Sequence, residues 1–206
     1  MASSPNPKRV GLLGGSFNPA HSGHLHISRL ALELLRLDQV WWLVSPQNPM
    51  KPTRDMAPFD TRMQQASSVA AAEPRIHVSD LEKRLGTQYT ADTLPMVKAR
   101  FGSLRFVWVM GADNLAQIHR WRRWTRIFRT VPVAVFDRPT YSFRAMSGVA
   151  ARRFSKHRID RARAASLADR QPPAWVFLSA AFDTASATAI REENSSLRSG
   201  VPDHRA

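Results

Sequence analysis

The stretch Val10-Gly11-Leu12-Leu13-Gly14-Gly15-Ser16-Phe17-Asn18-Pro19-Ala20-His21-Ser22-Gly23-His24 decides the fold. Its first four residues are a short apolar run that predicts a buried strand. Gly14-Gly15 predicts a turn, and an apolar-periodic stretch with Leu25, Ile27, Leu30, Leu34 and Leu35 predicts a helix. Strand, glycine turn and helix N-terminus leave backbone N–H groups free beside the positive end of a helix dipole, so the arrangement attracts phosphate. Gly15 permits a backbone geometry and a close ligand approach that a side chain would block. His21 and His24 are three residues apart, on one helical face, within reach of a single phosphate group.

Two common glycine loops do not match. A P-loop needs four residues between glycines followed by Gly-Lys-Ser/Thr, and the dinucleotide fingerprint needs Gly-x-Gly-x-x-Gly. Gly11, Gly14, Gly15 and Gly23 give neither. The competing reading is a tight turn with two polar surface histidines.

Outward from this stretch the elements alternate. Strand-like runs fall at 9–13, 40–44, 76–78, 104–110, 131–136 and 175–178, with helical patterns at 24–37, 60–72, 90–101, 113–129 and 147–168. Pro95 sits in the third of these helices and predicts a late start or a kink. Near-continuous apolar strands separated by helices predict an α/β fold, a Rossmann-like doubly wound, mainly parallel sheet with a small C-terminal helical portion. One domain over 1–192 and a polar tail over 193–206 are expected. In such sheets ligands sit beyond the carboxyl ends of the strands. The segments 14–24, 45–51, 111–114, 137–139 and 179–191 therefore belong on one edge.

Composition limits the partners. The 206 residues are 43% hydrophobic and 22% charged, as in ordinary globular proteins, and contain no cysteine for a disulfide or thiolate metal site. No run is long enough to span a membrane and residues 1–8 lack a signal-peptide core, so a cytoplasmic protein is expected. The net charge of +14 raises nucleic acid as a partner. His119-Arg120-Trp121-Arg122-Arg123-Trp124-Thr125-Arg126 mixes cations with aromatics, and Arg152, Arg153, Lys156, Arg158, Arg161 and Arg163 form a second basic run. The second run has helical spacing and fits a solvated face. Small polyphosphates suit the same field, so nucleic acid is not the expected main ligand.

Near the other end, Ser186-Ala187-Thr188-Ala189-Ile190-Arg191 follows the last strand. Ser186 suits a helix cap, with Thr188 in the first turn and Arg191 beyond it as a phosphate fork. An ordinary capped surface helix is the alternative. With both ends in view, the chain resembles the nucleotidyltransferase superfamily with the His-x-Gly-His signature, and within it the bacterial nicotinate-nucleotide adenylyltransferases. The first signature, Gly-Gly-Ser-Phe-Asn-Pro-x-His-x-Gly-His, stands complete at 14–24, and the second, Ile-Ser-x-Thr-x-Ile-Arg, reads Ala185-Ser186-Ala187-Thr188-Ala189-Ile190-Arg191. Likeness continues through Gln88-Tyr89-Thr90-Ala91-Asp92-Thr93-Leu94, Gly111-Ala112-Asp113-Asn114-Leu115 and Trp121-Arg122-Arg123-Trp124. It covers about residues 9 to 192 and ends at the tail, where the family commonly continues into a final helix.

The resemblance implies adenylyl transfer from ATP to nicotinate mononucleotide, giving nicotinate adenine dinucleotide and pyrophosphate, a step of NAD biosynthesis. A phosphate monoester is an anionic nucleophile at neutral pH and needs no strong base, so alignment and charge stabilisation suffice. By this carry-over His21, His24 and Arg191 are catalytic. Gly14, Gly15, Ser16, Phe17, His21, His24, Asp113, Ser186, Thr188 and Arg191 bind ATP. Lys51, Tyr89, Thr90, Asn114 and Trp121 serve the mononucleotide, with Trp121 stacked on the pyridine ring. Lys51 as a solvated loop lysine, Asp113 as a helix cap and Trp124 as a core residue stay open. His26 lies outside the motif and reads as surface or packing.

Mg2+ is expected with ATP, carried by phosphate oxygens, and no carboxylate cluster is spaced for a dedicated metal site. ATP and nicotinate mononucleotide are the implied partners; a homo-oligomer stays open. The alternatives are a superfamily enzyme for nicotinamide mononucleotide or phosphopantetheine, and a non-catalytic RNA-binding protein on this fold.

Overall fold

Six strands make one sheet: β1 (Arg9–Gly15), β2 (Gln39–Val44), β3 (Ile76–Ser79), β4 (Arg105–Gly111), β5 (Val133–Phe136) and β6 (Trp175–Leu178). Their order is β3-β2-β1-β4-β5-β6 and every pairing is parallel. The computed structural model describes residues 7–47, 56–137 and 141–179. The strand order reverses between β1 and β4, the switch point where such sheets open a ligand crevice.

Alternation of side chains divides the core in two. Val10, Leu12, Phe106, Trp108, Val133 and Trp175 face one layer. That layer holds α3 (Leu81–Leu85), α4 (Thr90–Arg100), α5 (Ala112–Gln117), α6 (Trp124–Thr130), α7 (Ser142–Met146) and α8 (Val149–Arg153). Leu13, Val40, Trp42, Val107, Ala134 and Val176 face α1 (Ser22–Leu34), α2 (Phe59–Ala70) and a 3-10 segment (Arg161–Asp169). Both faces are covered, which explains the near-continuous apolar strands.

The predicted strands and the doubly wound sheet are all present. The helices differ in three places. α4 runs unbroken through Pro95, because buried Ala91, Leu94 and Val97 outweigh a lost backbone bond of roughly 3 kcal/mol. The 113–129 helix is instead α5, a 3-10 turn (Ile118–Arg120) and α6, separated where Arg123 takes a left-handed φ of 51°. The 147–168 helix is instead α8 and two 3-10 segments, which with α7 before them cross from β5 to β6. α3 had no counterpart in the sequence reading. Among the described residues no helix is long and apolar enough to cross a membrane.

Candidate active site

The carboxyl ends of β1, β2, β4 and β5 open on one edge, as the parallel pairing requires. At the end of β1, a Cβ on Gly14 would lie 2.4 Å from Trp108 Cη2 on β4, so a side chain there would evict the indole. Gly15 has no such constraint: its Cβ would meet the Phe17 ring at an ordinary 3.5 Å. The left-handed residue of the turn is Phe17, with φ of 46°, not a glycine. That corrects the backbone role expected of Gly15.

Phe17 is 1% exposed, stacked on Trp42 at 5.1 Å and set 4.7 Å from the His24 ring. Its ring is therefore a floor under His24. Ser28 Oγ donates to His24 O at 2.8 Å and accepts from Trp42 Nε1 at 2.7 Å, which pins the first turns of α1 onto β2.

The two histidines form a capping box. His21 is the N-cap of α1, and its Nδ1 accepts from Gly23 N at 3.1 Å. His24 Nδ1 accepts from His21 N at 3.2 Å, and the ring centroids are 3.9 Å apart. A ring nitrogen that accepts carries no proton, so in each neutral ring the proton sits on Nε2. The helix cap thus fixes both tautomers and supplies two adjacent Nε2–H donors. A Cβ at Gly23 would come within 2.9 Å of the His21 ring, which explains the glycine between the histidines. The pair is close because His21 caps the helix and folds over it, not because both lie within its first turn.

Arg62 of α2 is 1% exposed and binds four carbonyls: Ser16 O at 2.7 Å, Ser45 O and Pro46 O at 2.8 Å, and Ala57 O at 3.0 Å. It clamps the turn after β1 to the turn after β2. Burial lowers its pKa, a direction that still leaves a guanidinium charged at neutral pH.

On the other side of the switch point, β4 ends in Gly111, the N-cap of α5. A Cβ on Gly111 would meet Asp113 Oδ1 at 2.4 Å, so the Asp113 carboxylate folds back over that glycine in the first turn of α5. Asn114 Oδ1 accepts from Gln117 Nε2 at 3.3 Å. Tyr89 is the N-cap of α4 and Thr90 its first residue. The Arg122 guanidinium lies 4.7 Å over the Tyr89 ring, and Asp92 pairs with Arg122, Arg123 and Arg126 at 3.7, 3.6 and 3.4 Å. The Tyr89–Thr90 end of α4 is thereby tied to the segment that carries Trp121. Trp121 is half-buried against the core without a ring partner among the described residues. Trp124 packs edge-on to Phe128 and Phe154. Both tryptophans are half-buried against the core, and of the two Trp124 is the one with ring partners among the described residues.

A family model described as cytidylyltransferase-like matches residues 12–193. A relative from Bradyrhizobium sp. (strain ORS 278) named "Probable nicotinate-nucleotide adenylyltransferase" is 50% identical over 93% of this chain and 99% of its own. One of the same name from Cereibacter sphaeroides (strain ATCC 17025 / ATH 2.4.3) is 53% identical over 88% of this chain and 96% of its own. The chain belongs to the nicotinate-nucleotide adenylyltransferase family. Among solved structures, Plasmodium falciparum nicotinic acid mononucleotide adenylyltransferase complexed with NaAD shares the fold. Its TM-score is 0.61 at 16% identity, over 84% of this chain and 75% of that one.

Within this nicotinate-nucleotide adenylyltransferase fold, Lys51, Ser186, Thr188 and Arg191 lie outside the described residues. The described candidates divide between two half-sites: Gly14 to His24 on β1 and α1, and Asp113, Asn114, Tyr89, Thr90 and Trp121 on α5, α4 and the turn before α6. His26 is half-buried on α1, and its pKa is lowered by burial and by Arg29, which fits packing. Two residues were missed by the sequence reading, Arg62 and Glu82, the latter 4% exposed in α3. Arg62 leaves a trace in the sequence. It shares one helical stripe with buried Ala66 and Ala70, and a cation in an apolar stripe signals a buried polar duty.

Proposed function

We propose that the chain catalyses adenylyl transfer from MgATP to nicotinate mononucleotide, releasing pyrophosphate and forming nicotinate adenine dinucleotide for NAD biosynthesis. The observation that carries this reading is the capping box, which presents two Nε2–H donors with fixed tautomers at the phosphate-binding end of β1. A mononucleotide phosphate oxygen forms the new bond to the α-phosphorus, and the bond from that phosphorus to the β-phosphate bridge oxygen breaks. The electron pair leaves with pyrophosphate. His21 and His24 donate to phosphate oxygens where this charge develops, and preorganised donors of this kind contribute about 3 kcal/mol each. No general base is required, because the nucleophile is already an anion.

The turn clamped by Arg62 holds the phosphates against β1. By the family pattern Ser186, Thr188 and Arg191 close over the β- and γ-phosphates, and Lys51 lies near them. Trp121 offers its open face to the pyridine ring, beside the Tyr89–Thr90 end of α4, while Asp113 and Asn114 approach the nucleotides from α5. Among the described residues no group of three or more His, Cys, Asp or Glu side chains is arranged to hold a metal ion. Magnesium is expected with ATP, carried by phosphate oxygens, where it would neutralise phosphate charge.

The deciding test is pyrophosphate release from MgATP with nicotinate mononucleotide, nicotinamide mononucleotide and phosphopantetheine compared side by side. Strong preference for the nicotinate acceptor is expected. Preference for another acceptor keeps the chemistry and moves the specificity, and no release with any of them overturns the enzyme reading.

A further inference from the structure

Glu82 is buried in α3, and among the described residues no cation pairs with it. Its partners are hydroxyls, Thr93 of α4 and Ser45 at the end of β2. Ser45 O is also one of the carbonyls held by Arg62. Thr93 Oγ1 stands 3.1 Å from Tyr89 O, 2.9 Å from Thr87 Oγ1 and 3.3 Å from Glu82 Oε1.

Proton counting orders this cluster. The Thr93 hydroxyl owns one hydrogen, and a carbonyl only accepts. With that hydrogen on Tyr89 O, the remaining two contacts are hydrogen bonds only where Thr87 and Glu82 donate. Thr87 has a hydroxyl hydrogen to give, and Glu82 has one only as the carboxylic acid. All three contacts are satisfied together by the neutral acid. As a carboxylate, Glu82 competes for the Thr93 hydrogen and takes it from Tyr89 O, the N-cap carbonyl of α4. That carbonyl then keeps the backbone N–H groups of Asp92 at 2.8 Å and Thr93 at 3.0 Å and loses its third tie.

We propose that Glu82 is a positioning residue for the acceptor mononucleotide. As the neutral acid it lets Thr93 hold the Tyr89–Thr90 end of α4, and on ionising it draws that hydroxyl away and loosens the acceptor half-site. The proposal rests on the adenylyltransferase reading for its substrate, though the switch itself does not. Burial pushes Glu82 up to about 7, against the smaller pull of the Ser45 and Thr93 hydroxyls. The charged groups on the surrounding elements are otherwise engaged. Lys83 lies over the Phe59 ring, Arg84 pairs with Asp80, Arg62 binds its carbonyls, and Asp92 pairs with three arginines. β2 carries no charged side chain.

The test is steady-state pyrophosphate release by wild type, Glu82→Gln and Thr93→Val across about pH 6 to 8. For wild type, the KM for nicotinate mononucleotide should climb by up to about tenfold as the competent acid form is lost, without a matching change for MgATP. Glutamine keeps a donor for Thr93 and cannot ionise, so its profile should stay flat relative to wild type. Thr93→Val removes the junction and should flatten the profile at a raised KM. Ionisation of the substrate phosphate is common to all three proteins, so the ratio to wild type isolates Glu82. Superposable wild-type and Glu82→Gln profiles overturn the proposal, as does an equal shift in both KM values with a lowered Tm, which marks plain packing.

Should wild type turn over no nicotinate mononucleotide, the functional reading has failed and melting decides the switch. Folding raises the Glu82 pKa above its ordinary 4.5, so its stabilising contribution is complete below 4.5 and lost as pH rises through about 7. Wild type should lose Tm over that window relative to Glu82→Gln, and parallel melting curves overturn the switch.

Discussion

The two half-sites on either side of the switch point are built differently. The phosphate side is one continuous segment, the end of β1, its turn and the start of α1, held from beneath by the buried Phe17 ring and by Arg62. The bonds of Arg62, Ser28 and Trp42 beneath it are buried or part-buried, while the capping-box bonds of His21 and His24 face water. The acceptor side is gathered from β4, α5, the turn before α6 and α4. Its cross-ties are exposed: Asp92 meets three arginines whose side chains are each about half-exposed. Exposed pairs of that kind contribute about 0–1 kcal/mol each and weaken in salt. The contrast suggests division of labour. On the proposed reading, the side clamped by Arg62 would fix the reacting phosphates and the side with exposed ties would admit and align the acceptor.

Substitutions can break this contrast, beginning with the largest effect. His24→Ala removes one Nε2–H donor and half of the capping box. Turnover should fall by about a hundred- to a thousandfold with the fold retained by circular dichroism. Near-normal turnover would remove His24 from the chemistry. Arg62→Met strips four carbonyls of one buried donor group, so urea unfolding should show a loss of about 3 kcal/mol or more. MgATP KM should also rise more than acceptor KM; an equal rise would mean the clamp does not distinguish the two sides.

Trp121→Ala should act the other way, weakening nicotinate mononucleotide by roughly tenfold and MgATP much less, as measured by the two KM values. An equal loss in both would assign Trp121 to packing alone. Asp92→Asn is the mildest test. It should cost less than about 1 kcal/mol in stability and raise acceptor KM modestly, with the difference from wild type vanishing at high salt.

The same contrast governs what the sequence made legible. The phosphate half-site is contiguous, so strand, turn and helix could be read from Val10 to Leu35, and the sheet followed from the apolar runs after it. The roles within the turn were less visible. Nothing in the local pattern says that Phe17 takes the left-handed conformation, or that Gly14 is empty because Trp108, nearly a hundred residues later, fills its space. The acceptor half-site depends on tertiary proximity. Spacing alone does not separate Trp121 from Trp124, and only the structure shows that Trp124 meets the Phe128–Phe154 pair. Glu82 escaped because α3 is five residues long, too short for a periodic signal, and its hydroxyl partners come from the turn after β2 and from α4.

The contact between Gly14 and Trp108 also constrains descent. The two positions lie on adjacent central strands and share one volume, so position 14 cannot grow while Trp108 keeps its size. Lineages that place even a methyl group at position 14 should carry a smaller residue at 108, and the route between those states passes through a cavity before it passes through a clash. Drift at the heart of the nucleotide crevice is thereby restricted to paired steps taken in one order.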